Sequence, residues 1–297
     1  MDALAVRFDT ACARRADPAR PELHAAALAA ACRDVLNDDL DDGTATAAAV
    51  DPCTGLGVDG VSISVADQDP WRLPVGASDP AAAAAERWQF VSGQGPGAVA
   101  WSTGRPVVAD QTRLRRAWPV LHDLLHRHTP YRSTIAVPVP RLPAGQPGSP
   151  AQGVLELHFH RERPLPPPGG GGAGLVRARA VAALVGARLW GVEGSGATSH
   201  GSGAPTAASG EPAGCRPDPG RPPGGQPTWM DAPGARERQC VWMVISMARQ
   251  VLRTADADAL ALLRATAYSR DRTLEDLAGD VVEGRLPLRA LHVPLPD

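Results

Sequence analysis

Between Glu193 and Gly234 the chain loses almost every large apolar side chain and runs through Gly, Pro, Ser and Ala. A stretch of that composition cannot bury enough apolar area to offset the conformational entropy of ordering it. It therefore divides the 297 residues into two units, each of which must find a core. The expected division is an N-terminal extension over residues 1–21, a larger unit over 22–192, a disordered linker over 193–234 and a small unit over 235–291. A linker of this length has a root-mean-square span of about 35 Å on Gly-rich chain statistics. Such a tether weakens mechanical coupling, so communication between the units requires docking of one on the other, or dimerisation.

The small C-terminal unit reads as three amphipathic helices. Val241, Val244, Ile245, Ala248, Val251 and Leu252 recur at steps of three and four, which is one face of a 3.6-residue helix. Ala259, Leu260, Leu263 and Ala267 repeat the pattern, and so do Leu274, Leu277, Ala278, Val281, Val282 and Leu286. Thr254, Asp256 and Asp258 are the available caps for the second helix, since a short side-chain oxygen accepts an orphan backbone N–H. Thr273 followed by Asp276 makes a near capping box for the third, and Gly284 with Pro287 suits its end. Three such stripes bury against one another as a bundle. About fifty-five residues is close to the lower limit for an independent core, so support from a neighbouring domain or a second copy is expected.

These positions carry a family resemblance. Val241-Trp242, Met247, Ala259-Leu260, Leu263-Arg264, Ala267-Tyr268, Arg272, Leu274, Ala278 and Val281-Val282 together resemble the ANTAR domain, a three-helix RNA-binding module of bacterial transcription antitermination regulators. The spacing agrees over all three helices. One run departs: Met243-Val244-Ile245-Ser246 stands where the family shows small and polar residues ending in Gly. The resemblance implies RNA hairpins as partners, a homodimer, and recognition through basic and aromatic positions around the end of the second helix.

The residues there suit that chemistry. Arg264, Arg270 and Arg272 cluster about Tyr268 and Ala267, and an Arg contacts phosphate while an aromatic ring stacks on an unpaired base. The competing structural reading pairs Arg264 with Asp258 or Asp280 and uses Tyr268 to cap the bundle. Residues 235–290 hold nine Arg against eight acids, so any nucleic-acid face depends on how charge is segregated. The whole chain carries a net charge of −2 and contains no Lys, so every basic side-chain contact except a histidine's is made by a planar guanidinium.

The larger unit mixes strands and helices. Val61 to Val65 alternates apolar and polar like a half-buried strand, and Arg72 to Gly76 is its plausible partner. Ala81 to Phe90 and Leu175 to Leu189 read as helices, Ser133 to Val139 and Gly153 to His160 as strands, and Met1 to Leu36 as helix broken at Pro18 and Pro21. The Gly93-Gln94-Gly95-Pro96-Gly97 run lacks the Lys and Ser/Thr of a phosphate loop and reads as a tight turn. Trp88-Gln89-Phe90, Gly93-Gln94-Gly95-Pro96, Ala100-Trp101 and Thr103-Gly104-Arg105-Pro106-Val107-Val108 resemble a GAF domain of the actinobacterial type found before ANTAR. That resemblance implies an α+β fold: an antiparallel sheet flanked by helices, with a small-molecule pocket on one sheet face. It names no ligand, and the cofactor is unknown.

Other chemistries find little support. The five cysteines form no CxxC pair and their number is odd, which points to a reducing cytoplasm and away from a disulfide framework. The Asp38–Asp42 run reads as a solvated loop more simply than as a cation site. His122 and His126 share a helix face and His158 and His160 a strand face, which is a metal-ligand reading without a matching set. Trp71, Trp88, Trp101 and Trp118 read as core or lid residues before a stacking platform. No nucleophile–base pair or carboxylate pair can be assembled, so an enzyme is not expected, and no stretch approaches a membrane span. A DNA-binding helix-turn-helix regulator and a ligand sensor acting through protein contacts stay open as rivals.

Overall fold

The computed structural model describes residues 3–17, 24–38, 55–66, 72–140, 151–161, 172–190 and 228–291. Residues 193–227 of the expected linker, the acidic run from Asp39, Cys53 and Trp71 lie outside that set. The fold is α+β. Strands β1 (Gly60–Ala66), β2 (Arg72–Ala77), β3 (Val107–Ala109), β4 (Ser133–Val139) and β5 (Gly153–Phe159) form an antiparallel sheet in the order β2-β1-β5-β4-β3. Helices α1 (Ala3–Arg15), α2 (His24–Asn37) and α7 (Ala173–Trp190) cover one face. Helices α3 (Pro80–Ser92), α4 (Pro96–Thr103), α5 (Gln111–Ala117) and α6 (Pro119–His128) lie on the other. A bundle of α8 (Pro233–Leu252), α9 (Asp256–Ser269) and α10 (Leu274–Val282) follows.

Strand register separates the two faces by chemistry. Val61 opposes Leu157, Ile63 opposes Leu155, and Ile135 and Val137 flank the same β5 residues from the other side. Because side chains alternate along a strand, these residues share one face and meet Phe8, Cys32, Leu36, Val181 and Val185 in a dry core. The alternate positions are Ser62, Ser64, Thr134, Glu156 and His158, and all five are buried. The expectation of a half-buried β1 with its serines facing water therefore fails. Helices α3 and α4 cover that face; beneath them Ser62 and Thr134 bond to His158, Ser64 accepts from Arg72, and Glu156 accepts from Gln89.

Local signals explain the helix boundaries. Asp79 caps α3 by accepting from the Ala82 N–H at 2.9 Å, with Pro80 in the first turn. Gly93 ends the helix at φ 70°, where a side chain would be strained and its Cβ would meet the Arg264 guanidinium at 2.8 Å. Thr273 caps α10 by accepting from the Asp276 N–H at 3.2 Å, and the Asp276 carboxylate accepts from the Thr273 hydroxyl at 2.7 Å in place of the reciprocal backbone bond of a capping box. The second helix of the bundle departs from expectation: its N-cap is Ala255, which has no side-chain oxygen to offer, and the Thr254 hydroxyl one residue earlier faces Asp258. Val251 and Val282, expected on inner faces, are about half exposed.

The bundle does not stand alone. Its core residues Val241, Val244, Leu263, Leu277 and Val281 pack in one cluster with Trp88, Phe90 and Val91 of α3 and Leu124 of α6. Two further elements lie inside the span expected as linker. Thr228–Asp231 form a 3-10 turn, and α8 begins at Pro233, with Ala232 and Ala235 joining the sheet's dry core. No helix among the described residues is long and apolar enough to cross a membrane.

Candidate nucleic-acid interface

The end of α9 and the turn into α10 gather four of the five residues expected to meet RNA, but in unequal roles. Ala267 is fully buried in the bundle core, and its carbonyl accepts from the Arg272 N–H at 2.9 Å. That bond, with Asp271 at φ 53°, closes the turn. Tyr268 faces solvent with 42% of its surface exposed, and so does not cap the core. Arg270 is exposed and donates to the Ala290 carbonyl at 3.1 Å. Arg272 donates to the Asp280 carboxylate and to the Asp276 carbonyl, which fixes its guanidinium over the start of α10. Tyr268, Arg270 and Arg272 thus leave an aromatic ring and two guanidiniums on one corner.

Arg264 is not part of that corner. It lies more than a turn earlier on α9, faces α3, and donates through Nε to the Phe90 carbonyl at 3.1 Å. Its guanidinium carbon sits 5.3 Å from the Phe90 ring centroid. Neither Asp258 nor Asp280 is its bonding partner there. The geometry makes Arg264 a tie between the bundle and the sheet domain.

The principal tie is a residue that the motif reading passed over. Arg238 of α8 is fully buried, with its guanidinium carbon 3.5 Å from the Phe90 ring centroid. It donates from Nη2 to Glu86 of α3 at 2.8 Å, from Nε to Glu275 of α10 at 2.6 Å, and from Nη1 to the Arg72 carbonyl of β2 at 3.0 Å. Burial works against its charge, but the Glu275 and Glu86 carboxylates outweigh that and hold its pKa above the ordinary value. A trace existed in the sequence: Arg238 stands three residues before Val241, in line with the apolar stripe of its helix.

The charges continue inward from Arg238. Arg72 lies 3.9 Å from Glu86 and 3.7 Å from Glu156. Gln89 donates its amide to both Glu156 oxygens at 2.7 and 2.8 Å and accepts from the Gly97 N–H at 3.0 Å. A Cβ on Gly97 would lie 2.8 Å from Glu156, so only glycine admits this approach. Burial pushes the Glu156 carboxyl up, against the opposing pull of Arg72 and the Gln89 bond. Beyond it, the His158 ring lies between the Ser62 hydroxyl at 3.1 Å and the Thr134 hydroxyl at 3.2 Å, under the Tyr131 ring. Burial lowers the His158 pKa to about 4, so the ring is neutral near pH 7. Gln89, Thr134, Glu156 and His158 line a cavity about the size of one water molecule, with Ala85, Pro96, Leu121 and Leu125 completing its wall.

Further polar contacts cross between the domains at the surface, and Arg87 of α3 pairs with Glu237 of α8. Asp271 in the α9–α10 turn accepts from Arg127 and lies 2.8 Å from the His128 Nε2. The hydrogen bond from His128, with Arg127 beside it, holds the Asp271 carboxyl below its ordinary pKa. His128 also stacks on Trp88 at 4.0 Å. His122 and His126 share a face of α6 with ring centroids 6.1 Å apart, but no group of residues suited to hold a metal occurs among the described residues. Comparison of the chain with family models, with curated proteins and with solved structures returned no match.

Proposed function

We propose that the chain is a signal-responsive RNA-binding regulator: a GAF-type sheet domain as sensor, and an ANTAR-type bundle as output acting by transcription antitermination. The observation that carries this reading is the corner of Tyr268, Arg270 and Arg272. It offers an exposed ring for stacking beside guanidiniums for phosphate, on a bundle whose helices follow the spacing of the resemblance. Capture of a hairpin there would compete with formation of a terminator. Arg264 acts in this scheme as a positioning residue between output and sensor, and Ala267 as a core residue of the turn.

Signalling would run through the docked interface. The buried charges from Glu156 through Arg72 and Glu86 to Arg238 end on α10, so a change at the sheet cavity alters the footing of the bundle. A small-molecule ligand larger than water would have to move α3 or α6 to enter. Pairing of two copies is part of the same reading. Met243, Met247 and Val251 stand four residues apart on α8 and remain exposed, and two bundles on two hairpins would gain effective concentration. The DNA-binding rival is weakened by α10, which contains no Arg and exposes Asp276, with Glu283 at its C-cap, in place of a basic recognition surface.

The test is transcription in vitro through a template encoding tandem hairpins upstream of a terminator. Full-length protein is expected to raise read-through, and Tyr268→Ala with Arg270→Ala to abolish the rise. Read-through that is unchanged by the wild-type protein contradicts the proposal.

A further inference from the structure

A marked excess of positive charge lies outside the bundle. From Arg105 to Arg132 the sheet domain carries six Arg and three His against Asp110 and Asp123 alone. Both acids are occupied: Asp110 caps α5 by accepting from the Arg113 N–H, and Asp123 pairs with Arg127. Arg105, Arg115 and Arg116 are exposed and take part in no ion pair among the described residues. Arg113 and Arg132 donate to backbone carbonyls, of Val108 and of Thr129 and Tyr131. The cluster is spatial as well as sequential, since α5 packs on α6 and the His122 ring stacks along His126. Burial, and then the positive charges of His126, Arg115 and Arg132, hold the His122 pKa below its ordinary value. Its Nε2 is buried without a hydrogen-bond partner among the described residues.

This surface continues into the candidate RNA corner. Helix α6 ends at Arg127 and His128, and both contact Asp271, which lies between Arg270 and Arg272. We infer that the α5–α6 face, centred on Arg115, Arg116, Arg132 and His122, is a second RNA contact that binds the phosphate backbone of the strand leaving the Tyr268 corner. Guanidiniums without carboxylate partners break no ion pair when a phosphate arrives, and phosphate contacts position a nucleic acid without reading its sequence. The inference rests on the RNA reading of the bundle and assigns half of the footprint to the sensor.

The experiment is fluorescence anisotropy of the full chain on a labelled tandem-hairpin RNA with single-stranded flanks, across a salt series. Arg115→Ala with Arg116→Ala is compared with Arg15→Ala with Arg188→Ala, which removes equal charge from α1 and α7 beyond the opposite sheet face. The first pair is expected to weaken binding about 10-fold or more and to flatten the log–log salt slope by about 1.4, roughly 0.7 for each single-strand phosphate that is no longer neutralised. The second pair is expected to change neither. In a histidine NMR titration, bound RNA is expected to raise the His122 pKa toward the ordinary value, since phosphate offsets the surrounding positive charge. Hairpin binding with an unchanged slope in Arg115→Ala/Arg116→Ala overturns this inference and leaves the bundle reading intact. An equal loss of affinity in both pairs also overturns it, as a diffuse charge effect. Absence of hairpin binding by the wild-type protein overturns both.

Discussion

Among the polar contacts that join the bundle to the sheet domain, two clusters of charge differ in little but their access to water. At one, Arg238 lies fully buried between Glu86 and Glu275; at the other, Arg127 and His128 meet an Asp271 side chain that is 50% exposed. Both are built from cations and carboxylates drawn from two domains. In water the charges of the second contact are already solvated, so their pairing adds under about 1 kcal/mol. In the buried contact each charge has given up its hydration, and it is tolerable because Arg238 donates to both carboxylates. The difference makes the first a condition for docking and the second a surface feature that docking brings together.

Removing Arg238 gives the largest expected effect. Arg238→Ala strands Glu86 and Glu275 in the interface and is expected to cost about 3–5 kcal/mol in denaturant unfolding. Replacing all three charges, with Arg238→Met, Glu86→Gln and Glu275→Gln, is expected to recover most of that stability. If Arg238→Ala costs no more than a surface substitution, the contrast between the two sites collapses.

Acid extends the same contrast to the far end of the buried chain. The folded protein holds His158 at a pKa of about 4, below the ordinary histidine value, so the unfolded state binds more protons between the two. The stability from its neutral ring is therefore full above about pH 6.5 and falls by about 3 kcal/mol as pH drops to 4. His158→Gln is expected to remove most of that pH-dependent fall, as read by thermal midpoints over the same range. Gly93→Ala probes the edge of the interface. The strain of a side chain at φ 70° beside Arg264 is expected to cost about 1 kcal/mol. Asp271→Asn, which tolerates the turn's positive φ, is expected to shift stability by under about 1 kcal/mol, and the shift should shrink further in high salt. A large destabilisation here would mean that the surface pair carries the docking after all.

The bundle was the most legible part of the chain, because apolar spacing reports a helix face directly. Val241, Ala259, Leu263, Leu277 and Ala278 are all buried where their period places them. The strands were legible too, but β1 misled in one respect. Alternation of Val and Ser shows that two faces differ, and cannot show that a second helix layer covers the polar one, as α3 does over Ser62 and Ser64. The interface was the least legible. Arg238 interrupts an apolar stripe visibly, yet its partner Glu86 lies 152 residues away, and no local pattern links them. The same limit applies to Arg264, whose partner carbonyl at Phe90 is 174 residues distant. A residue that suits RNA by type is here spent on the neighbouring domain.

The central claim is that the Tyr268 corner receives an RNA hairpin. It is tested most directly by fluorescence anisotropy of the full chain against a labelled tandem-hairpin RNA, a scrambled RNA and a DNA duplex of equal length at two salt concentrations. The account predicts tighter binding to the hairpins, weaker at high salt, and reduced about 10-fold or more by Tyr268→Ala, since stacking on an aromatic ring is worth about 1–3 kcal/mol per base. Equal binding to all three nucleic acids, or hairpin binding indifferent to Tyr268→Ala, would contradict it.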